Sequence, residues 1–125
     1  MAAGRAGGAM IPAAVRIFVC AEPADMRQGF DRLAQVVKAK LGEDPQSGSL
    51  FIFANRGATR LKALWFDANG YCVLYKRLHR AVFDLPMANG SSRSIQINAQ
   101  RLAELLRGVA RESKRRNRSR DEIAA

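Results

Sequence analysis

Apolar positions change spacing several times along the chain, and each change predicts a secondary-structure element. Residues 15–20 alternate between apolar and polar and are rich in β-branched side chains, which predicts a strand. Apolar residues then recur at helical spacing through residues 25–42, where Asp25 is placed to cap the helix and Gly42 to end it. Residues 50–54, LFIFA, form a short apolar run typical of a buried strand. The first half of the chain therefore predicts the order strand, helix, strand.

The stretch LKALWFDANGYCVLYKRL, residues 61–78, predicts a β-hairpin. Two apolar runs flank Asn69-Gly70, and both of these residue types tolerate positive φ, so they favour a two-residue turn. With Asn69 and Gly70 as the turn, Lys62 lies opposite Arg77. Cations gather at the open end of this hairpin, with almost no acid to balance them: Arg60, Lys62, Lys76, Arg77 and Arg80.

The C-terminal third predicts two further strands and a helix. Residues 80–86 suggest a strand closed by a proline, and RSIQI, residues 93–97, alternates as a strand does. Asn98 is placed to cap a helix whose leucines recur at helical spacing. Together the elements indicate an α+β domain. Its sheet is mostly antiparallel with four to six strands, and a helix from the N-terminal half and a C-terminal helix pack on one sheet face.

Length and charge divide the chain into a domain and two extensions. A chain of 125 residues has room for one domain with a single core. We predict a disordered extension at 1–10, a single domain at 11–108 and a basic, flexible tail at 109–125, with Met10 as an alternative start. The net charge is +10, and residues 107–120 hold seven basic residues and one acidic residue. Such a tail favours a polyanionic partner.

Several classes of protein are disfavoured by the composition. The sequence has no apolar run long enough to span a membrane and no secretory signal, so we expect a cytoplasmic protein without a membrane partner. Cys20 and Cys72 each lie inside an apolar run, which is typical of buried thiols. No cluster of metal ligands is visible, and we expect no cofactor.

Catalytic residues are not evident either. The acidic residues are scattered, whereas two-metal phosphoryl transfer needs carboxylates that converge from neighbouring strands. Of them, Asp67 lies at the end of a clearly patterned strand, and His79 has no acid or thiol placed to work with it. We therefore expect no enzyme. A nuclease that uses Asp67 or Asp25 is the least favoured alternative.

The hairpin cations allow two interpretations. They can contact phosphates, with Tyr75 or Trp65 available to a sugar or base. They can equally form a solvated edge whose charges prevent edge-to-edge aggregation. The basic tail favours the first interpretation without identifying the polyanion.

Four motifs, in their order along the chain, resemble the TnpB-type accessory proteins of IS66-family insertion sequences: DMRQGFDRL, DPQSGSLFIFANR, LKALWFDANGYCVLYKRL and LAELLRG. The resemblance extends over about residues 10–108. It implies a small non-catalytic protein that is encoded beside a separate transposase and assists transposition.

Residues and resemblance together predict a DNA-binding surface for the transposon ends. We assign to it Arg27, Asn55, Arg56, Arg60, Lys62, Lys76, Arg77, Arg80, Lys114, Arg115, Arg116 and Arg118. An alternative is a protein-interaction subunit that docks on the transposase without reading DNA. The sequence leaves open whether the direct partner is DNA, RNA or protein, and it leaves the oligomeric state open.

Overall fold

The computed structural model describes residues 15–111, which fold into one sheet with two helices. The strands are β1 (Ile17–Cys20), β2 (Leu50–Ala54), β3 (Arg60–Asp67), β4 (Gly70–Arg77) and β5 (Ser94–Ile97). The helices are α1 (Phe30–Val36), which continues as a π-helical turn over Val37–Leu41, and α2 (Ala99–Arg107). This arrangement confirms the predicted α+β class and the positions of both helices.

The five strands lie in the order β4-β3-β2-β1-β5. β1 is parallel to β2, with Phe18 beside Phe51, and the other three pairings are antiparallel. The parallel pair follows from the connection, because α1 and its π-helical turn carry the chain from β1 back to the start of β2. The mostly antiparallel sheet is thus as predicted.

The helices pack on opposite faces of the sheet, so the prediction that they share one face is wrong. On one face Phe18 and Phe51 pack with Leu33 of α1, and on the other Ile52 packs with Leu105 of α2. The three central strands are apolar on both sides, so each face has to be covered from water. We call these the α1 face and the α2 face.

The start of the first helix differs from the prediction as well. Asp25 does not cap α1. Its carboxylate accepts a hydrogen bond from the backbone N–H of Arg27 in the loop before the helix, and Gly29 is the N-cap residue. The predicted end is correct, since Gly42 follows the π-helical turn with φ 67°. A residue with a side chain rarely adopts this conformation, and glycine does so without steric cost.

The hairpin turn lies one residue earlier than predicted. Ala68 and Asn69 occupy the two turn positions with φ 49° and 70°, and Gly70 begins β4 opposite Asp67. Asparagine tolerates the left-handed conformation, so the turn does not need Gly70. The pairing shifts by two residues as a result, and Lys62 lies opposite Tyr75 rather than Arg77. A two-residue shift leaves every side chain on its predicted face.

The C-terminal segment closes onto the loop after β4. Asn98 caps α2 as predicted, accepting a hydrogen bond from Arg101 N–H at 2.8 Å. Residues 80–86 do not form the suggested strand; Val82 makes an isolated antiparallel bridge with Val109 instead. Both bridge hydrogen bonds, at 3.0 and 2.8 Å, hold the chain in place after α2 ends.

Candidate nucleic-acid interface

An open groove of about 400 Å³ lies on the α1 face, at the end of the sheet away from the hairpin turn. We call it the basic groove, and its lining residues are Ala24, Asp25, Met26, Arg27, Asn55, Arg60 and Tyr75. It brings together three of the predicted site residues: Arg27 lies before α1, whereas Asn55 and Arg60 flank the loop between β2 and β3, about thirty residues further along the chain.

Asn55 organises the loop between β2 and β3. Its Oδ1 accepts hydrogen bonds from the backbone N–H groups of Thr59 and Arg60, both at 2.9 Å, and its Nδ2 donates to Thr59 Oγ1 at 3.1 Å. The amide is therefore occupied by the loop itself. Asn55 positions Arg60 beside the groove, and contact with a ligand is not needed to explain its place there.

Asp25 was assigned a capping role from the sequence, but it lies in the groove and pairs with Arg27. The Arg27 Nη2 atom is 2.8 Å from Asp25 Oδ2, and Arg27 Nε and backbone N–H also donate to this carboxylate. These hydrogen bonds lower the pKa of Asp25 to about 2. The Arg27 side chain is 91% exposed, so the pair lies in water and partly neutralises one of the groove's cations. The Asp-x-Arg spacing was the signal available in the sequence.

Lys62 and Tyr75 extend the groove along the hairpin. They are opposite each other in the ladder, and Lys62 Nζ lies 4.8 Å from the centroid of the Tyr75 ring. The same ammonium donates to the carbonyl oxygen of Gln28 at 2.7 Å. Lys62 is thereby held near Asp25, where its charge also contributes to the low pKa of that carboxyl group. Tyr75 is 51% exposed and is available for contact.

The other hairpin cations do not form one cluster. Arg77 is opposite Arg60 in the ladder and shares the α1 face with it. Lys76 lies on the α2 face, where its Nζ donates to the carbonyl oxygen of Leu106 at 2.6 Å, in the last turn of α2. A cation there satisfies a helix-end carbonyl and complements the helix dipole. Lys76 thus has a structural role and lies apart from the groove.

Two further predicted residues, Arg56 and Arg80, are exposed in the loops that follow β2 and β4. Within residues 15–111, four arginine side chains of the predicted site have no hydrogen-bond or ion-pair partner: Arg56, Arg60, Arg77 and Arg80. These are the described site residues whose charge is least compensated. Lys114, Arg115, Arg116 and Arg118 lie outside the described residues.

Trp65 is not available to a base, contrary to the sequence-based expectation. It is 2% exposed and packs in the core on the α2 face. Its Nε1 has no hydrogen-bond acceptor in the described part of the chain. Of the two aromatic residues proposed for contact, Tyr75 alone is exposed.

The two aspartates considered for a nuclease are far apart. Asp25 lines the basic groove with Arg60, at the first residue of β3, whereas Asp67 is the last residue of that strand. Seven residue steps in a strand span roughly 23 Å. In residues 15–111, no three His, Cys, Asp or Glu side chains form a group that could hold a metal ion. Neither helix within residues 15–111 has the length and hydrophobicity that a membrane span requires.

Fold and groove together define a small, basic α+β domain. The chain belongs to the IS66 Orf2-like protein family, whose model matches residues 15–116. This confirms the resemblance to TnpB-type proteins and supports an accessory role in transposition.

Two similar proteins come from Sinorhizobium fredii. The uncharacterized protein y4hO is 39% identical over 95 residues, which cover 76% of this chain and 81% of that protein. The uncharacterized protein y4jC is 32% identical over 72 residues, or 58% of this chain and 62% of that protein. No solved structure matches the chain significantly.

Proposed function

We propose that this chain is a non-catalytic accessory protein of transposition that binds DNA at the ends of an insertion sequence, alone or in complex with the transposase. Binding uses the basic groove, the neighbouring hairpin arginine and the basic tail. The observation that carries the proposal is the pair Arg60 and Arg77, whose uncompensated charges lie on one sheet face beside the exposed ring of Tyr75.

The arginine pair favours an anion for a physical reason. Like charges directly opposite each other on neighbouring strands are destabilising by up to roughly 1 kcal/mol. Neither Arg60 nor Arg77 has an acidic partner within the described residues. A phosphate shared by the two guanidinium groups would remove the repulsion and form charge-assisted hydrogen bonds with both. Tyr75, next but one to Arg77, would then meet a sugar or base.

The cations in and around the groove are expected to contribute unequally. Arg60 and Arg77 have free side chains, whereas Arg27 has to share its charge with Asp25. Lys62 is committed to the Gln28 carbonyl and acts mainly through its field. The tail residues, Lys114, Arg115, Arg116 and Arg118, would add affinity for any duplex, because contacts to phosphate carry no sequence information.

The test is fluorescence anisotropy of the full chain with labelled element-terminus DNA and a scrambled duplex across a salt series. Arg60→Gln combined with Arg77→Gln removes the groove arginine and its hairpin neighbour, the two side chains that share the proposed phosphate. The matched control is Arg93→Gln, an exposed arginine just before β5, at the opposite edge of the sheet. Each phosphate contact contributes about 0.9 to the magnitude of the slope of log K against log salt, so losing the phosphate that Arg60 and Arg77 share should reduce that magnitude by about 0.9. Equal slopes for the double variant and the control would remove the groove from the proposal.

A truncated chain separates the folded domain from the tail. The cut is best made after Arg111, because Val109 hydrogen-bonds with Val82 and belongs with the folded part. If the truncated chain still prefers the terminus, the folded surface reads DNA. If binding disappears, or the duplexes are never distinguished, docking on the transposase is the better account. Co-purification with transposase that survives nuclease treatment and high salt would support docking.

A further inference from the structure

One edge of the sheet is long and unpaired. β4 is an edge strand of eight residues, whereas β5 at the opposite edge has four. An edge strand presents a row of free N–H and C=O groups that can pair with another strand. The length of β4 makes this edge the stronger candidate for an interaction surface.

The ladder determines which backbone groups are free. In an antiparallel pair, alternate residues direct their N–H and C=O groups toward the partner strand. The Leu78 N–H donates to the Thr59 carbonyl at 2.8 Å, and the two-residue turn makes Asp67 and Gly70 a hydrogen-bonded pair. The even-numbered residues of β4 therefore bond to β3. The odd-numbered ones direct theirs outward: Tyr71, Val73, Tyr75 and Arg77.

These outward groups have no partner within the monomer as far as it is described. Among residues 15–111, no hydrogen bond from another element reaches the backbone of the four residues. Eight backbone groups in a regular row thus remain for a strand from outside.

We propose that β4 pairs in antiparallel orientation with β4 of a second copy, about a two-fold axis at Leu74, to form a continuous ten-stranded sheet. With this centre all four outward residues are hydrogen-bonded. Tyr71 faces Arg77 of the second copy, and Val73 faces its Tyr75. If the two-fold axis lies at Val73 or Tyr75 instead, only three of the outward residues find a hydrogen-bonded partner within β4 of the second copy. The pairing is argued from the sheet edge alone and does not rest on the proposed DNA binding; Arg77 and Tyr75 belong to both surfaces.

Side-chain chemistry along β4 favours a second copy as the occupant. The cations Lys76 and Arg77 lie at one end only, and the other end is neutral. Antiparallel self-pairing sets each cationic end against a neutral end, so no like charges are opposed, whereas parallel pairing would align them. Arg77 meets the Tyr71 ring, an arrangement that allows cation–π contact, and Leu74 meets Leu74 at the axis. The strand is complementary to itself in this register.

A disulfide provides the most specific test. In the proposed register Cys72 faces position 76 of the second copy in a non-hydrogen-bonded pair, with Cα atoms about 4.5 Å apart, inside the range for a disulfide. Within one chain these positions are four residues apart on one strand, roughly 13 Å, and cannot be joined. Full-length Lys76→Cys should therefore become a covalent dimer with oxidised glutathione and revert on reduction. The matched control Arg77→Cys places the thiol at the neighbouring position, which is also exposed and faces Tyr71 instead.

A second variant keeps the Lys76 hydrogen bond and removes an outward donor. Proline is tolerated in an edge strand where its missing N–H faces solvent, so Val73→Pro should still fold, with a lower Tm because the partly buried Val73 side chain packs on the α1-face core. Sedimentation across a wide concentration range should show the wild-type chain in a monomer–dimer equilibrium and Val73→Pro as a monomer. The proposal is overturned if the wild-type chain is monomeric throughout, if Val73→Pro dimerises equally, or if the two cysteine variants cross-link at the same rate.

Discussion

Gly108 joins α2 to the bridge that closes the fold, and replacing it with alanine should be strongly destabilising. Its backbone has φ 75° and ψ 172°, a region that is essentially limited to glycine. A Cβ at this position would lie 2.6 Å from Leu78 Cδ1 and 3.2 Å from the carbonyl oxygen of Val82. The Leu78 side chain can move, but the Val82 carbonyl accepts the bridge hydrogen bond from Val109. Two separate penalties therefore act at one residue.

The two penalties can be given magnitudes. A residue forced into this backbone region costs about 1–3 kcal/mol, and overpacking of a filled site costs about 1–3 kcal/mol. Gly108→Ala should accordingly lower the free energy of unfolding by roughly 2–6 kcal/mol, a large share of the total stability of a small domain.

Two other glycines serve as matched controls in urea unfolding of the full chain followed by circular dichroism. Gly42 has φ 67°, and a Cβ added there would meet no atom within 4 Å, so Gly42→Ala should show the backbone penalty alone, about 1 kcal/mol. Gly57 has neither positive φ nor a close contact, and Gly57→Ala should lie within about 0.5 kcal/mol of the wild type. If Gly108→Ala is no more destabilising than Gly42→Ala, the close approach of the added Cβ to Val82 and Leu78 contributes nothing to the loss of stability, contrary to this prediction.

Three further predictions concern the groove and the core. Asn55→Ala removes three hydrogen bonds from the loop before β3 and should lower the free energy of unfolding in urea by about 1–3 kcal/mol. The control Asn98→Ala loses one cap hydrogen bond worth about 1 kcal/mol, and a smaller loss for Asn55→Ala than for this control would contradict the prediction. Asp25 titrates near pKa 2 rather than at its ordinary 3.8, so its contribution to stability is present above pH 3.8 and lost as the pH falls through about 2. Arg27→Ala should return this pKa toward 3.8 in an NMR titration of the carboxyl carbon, and an unchanged pKa would exclude Arg27 as the main cause. Burial raises the pKa of the Cys20 thiol, so this thiol should be alkylated more slowly in the folded chain than in urea at mildly alkaline pH. Mass spectrometry would measure the two rates, and equal rates would argue against burial of Cys20.

Local sequence pattern was enough to identify most of the secondary-structure elements. Alternation and apolar runs were sufficient for β1, β2 and β5, and the Asn98 cap and the Gly42 stop were read correctly because each acts within a few residues. The family was also evident, since its motifs are short, ordered segments of the chain. The hairpin itself was predicted, but its turn was placed one residue late, because Asn69-Gly70 is the stronger local turn signal while the folded chain has Ala68 and Asn69 at the positive-φ positions.

Tertiary structure decided which side chains meet. Lys62 and Lys76 are alike in sequence, yet their ammonium groups bond to carbonyls 34 and 30 residues away, on opposite faces of the sheet. Trp65 is buried in the core of the α2 face rather than exposed. Such outcomes depend on strand order, on the face that each helix covers and on contacts between distant segments. Local propensity carries no information about these, so the basic groove became visible only once the chain was folded.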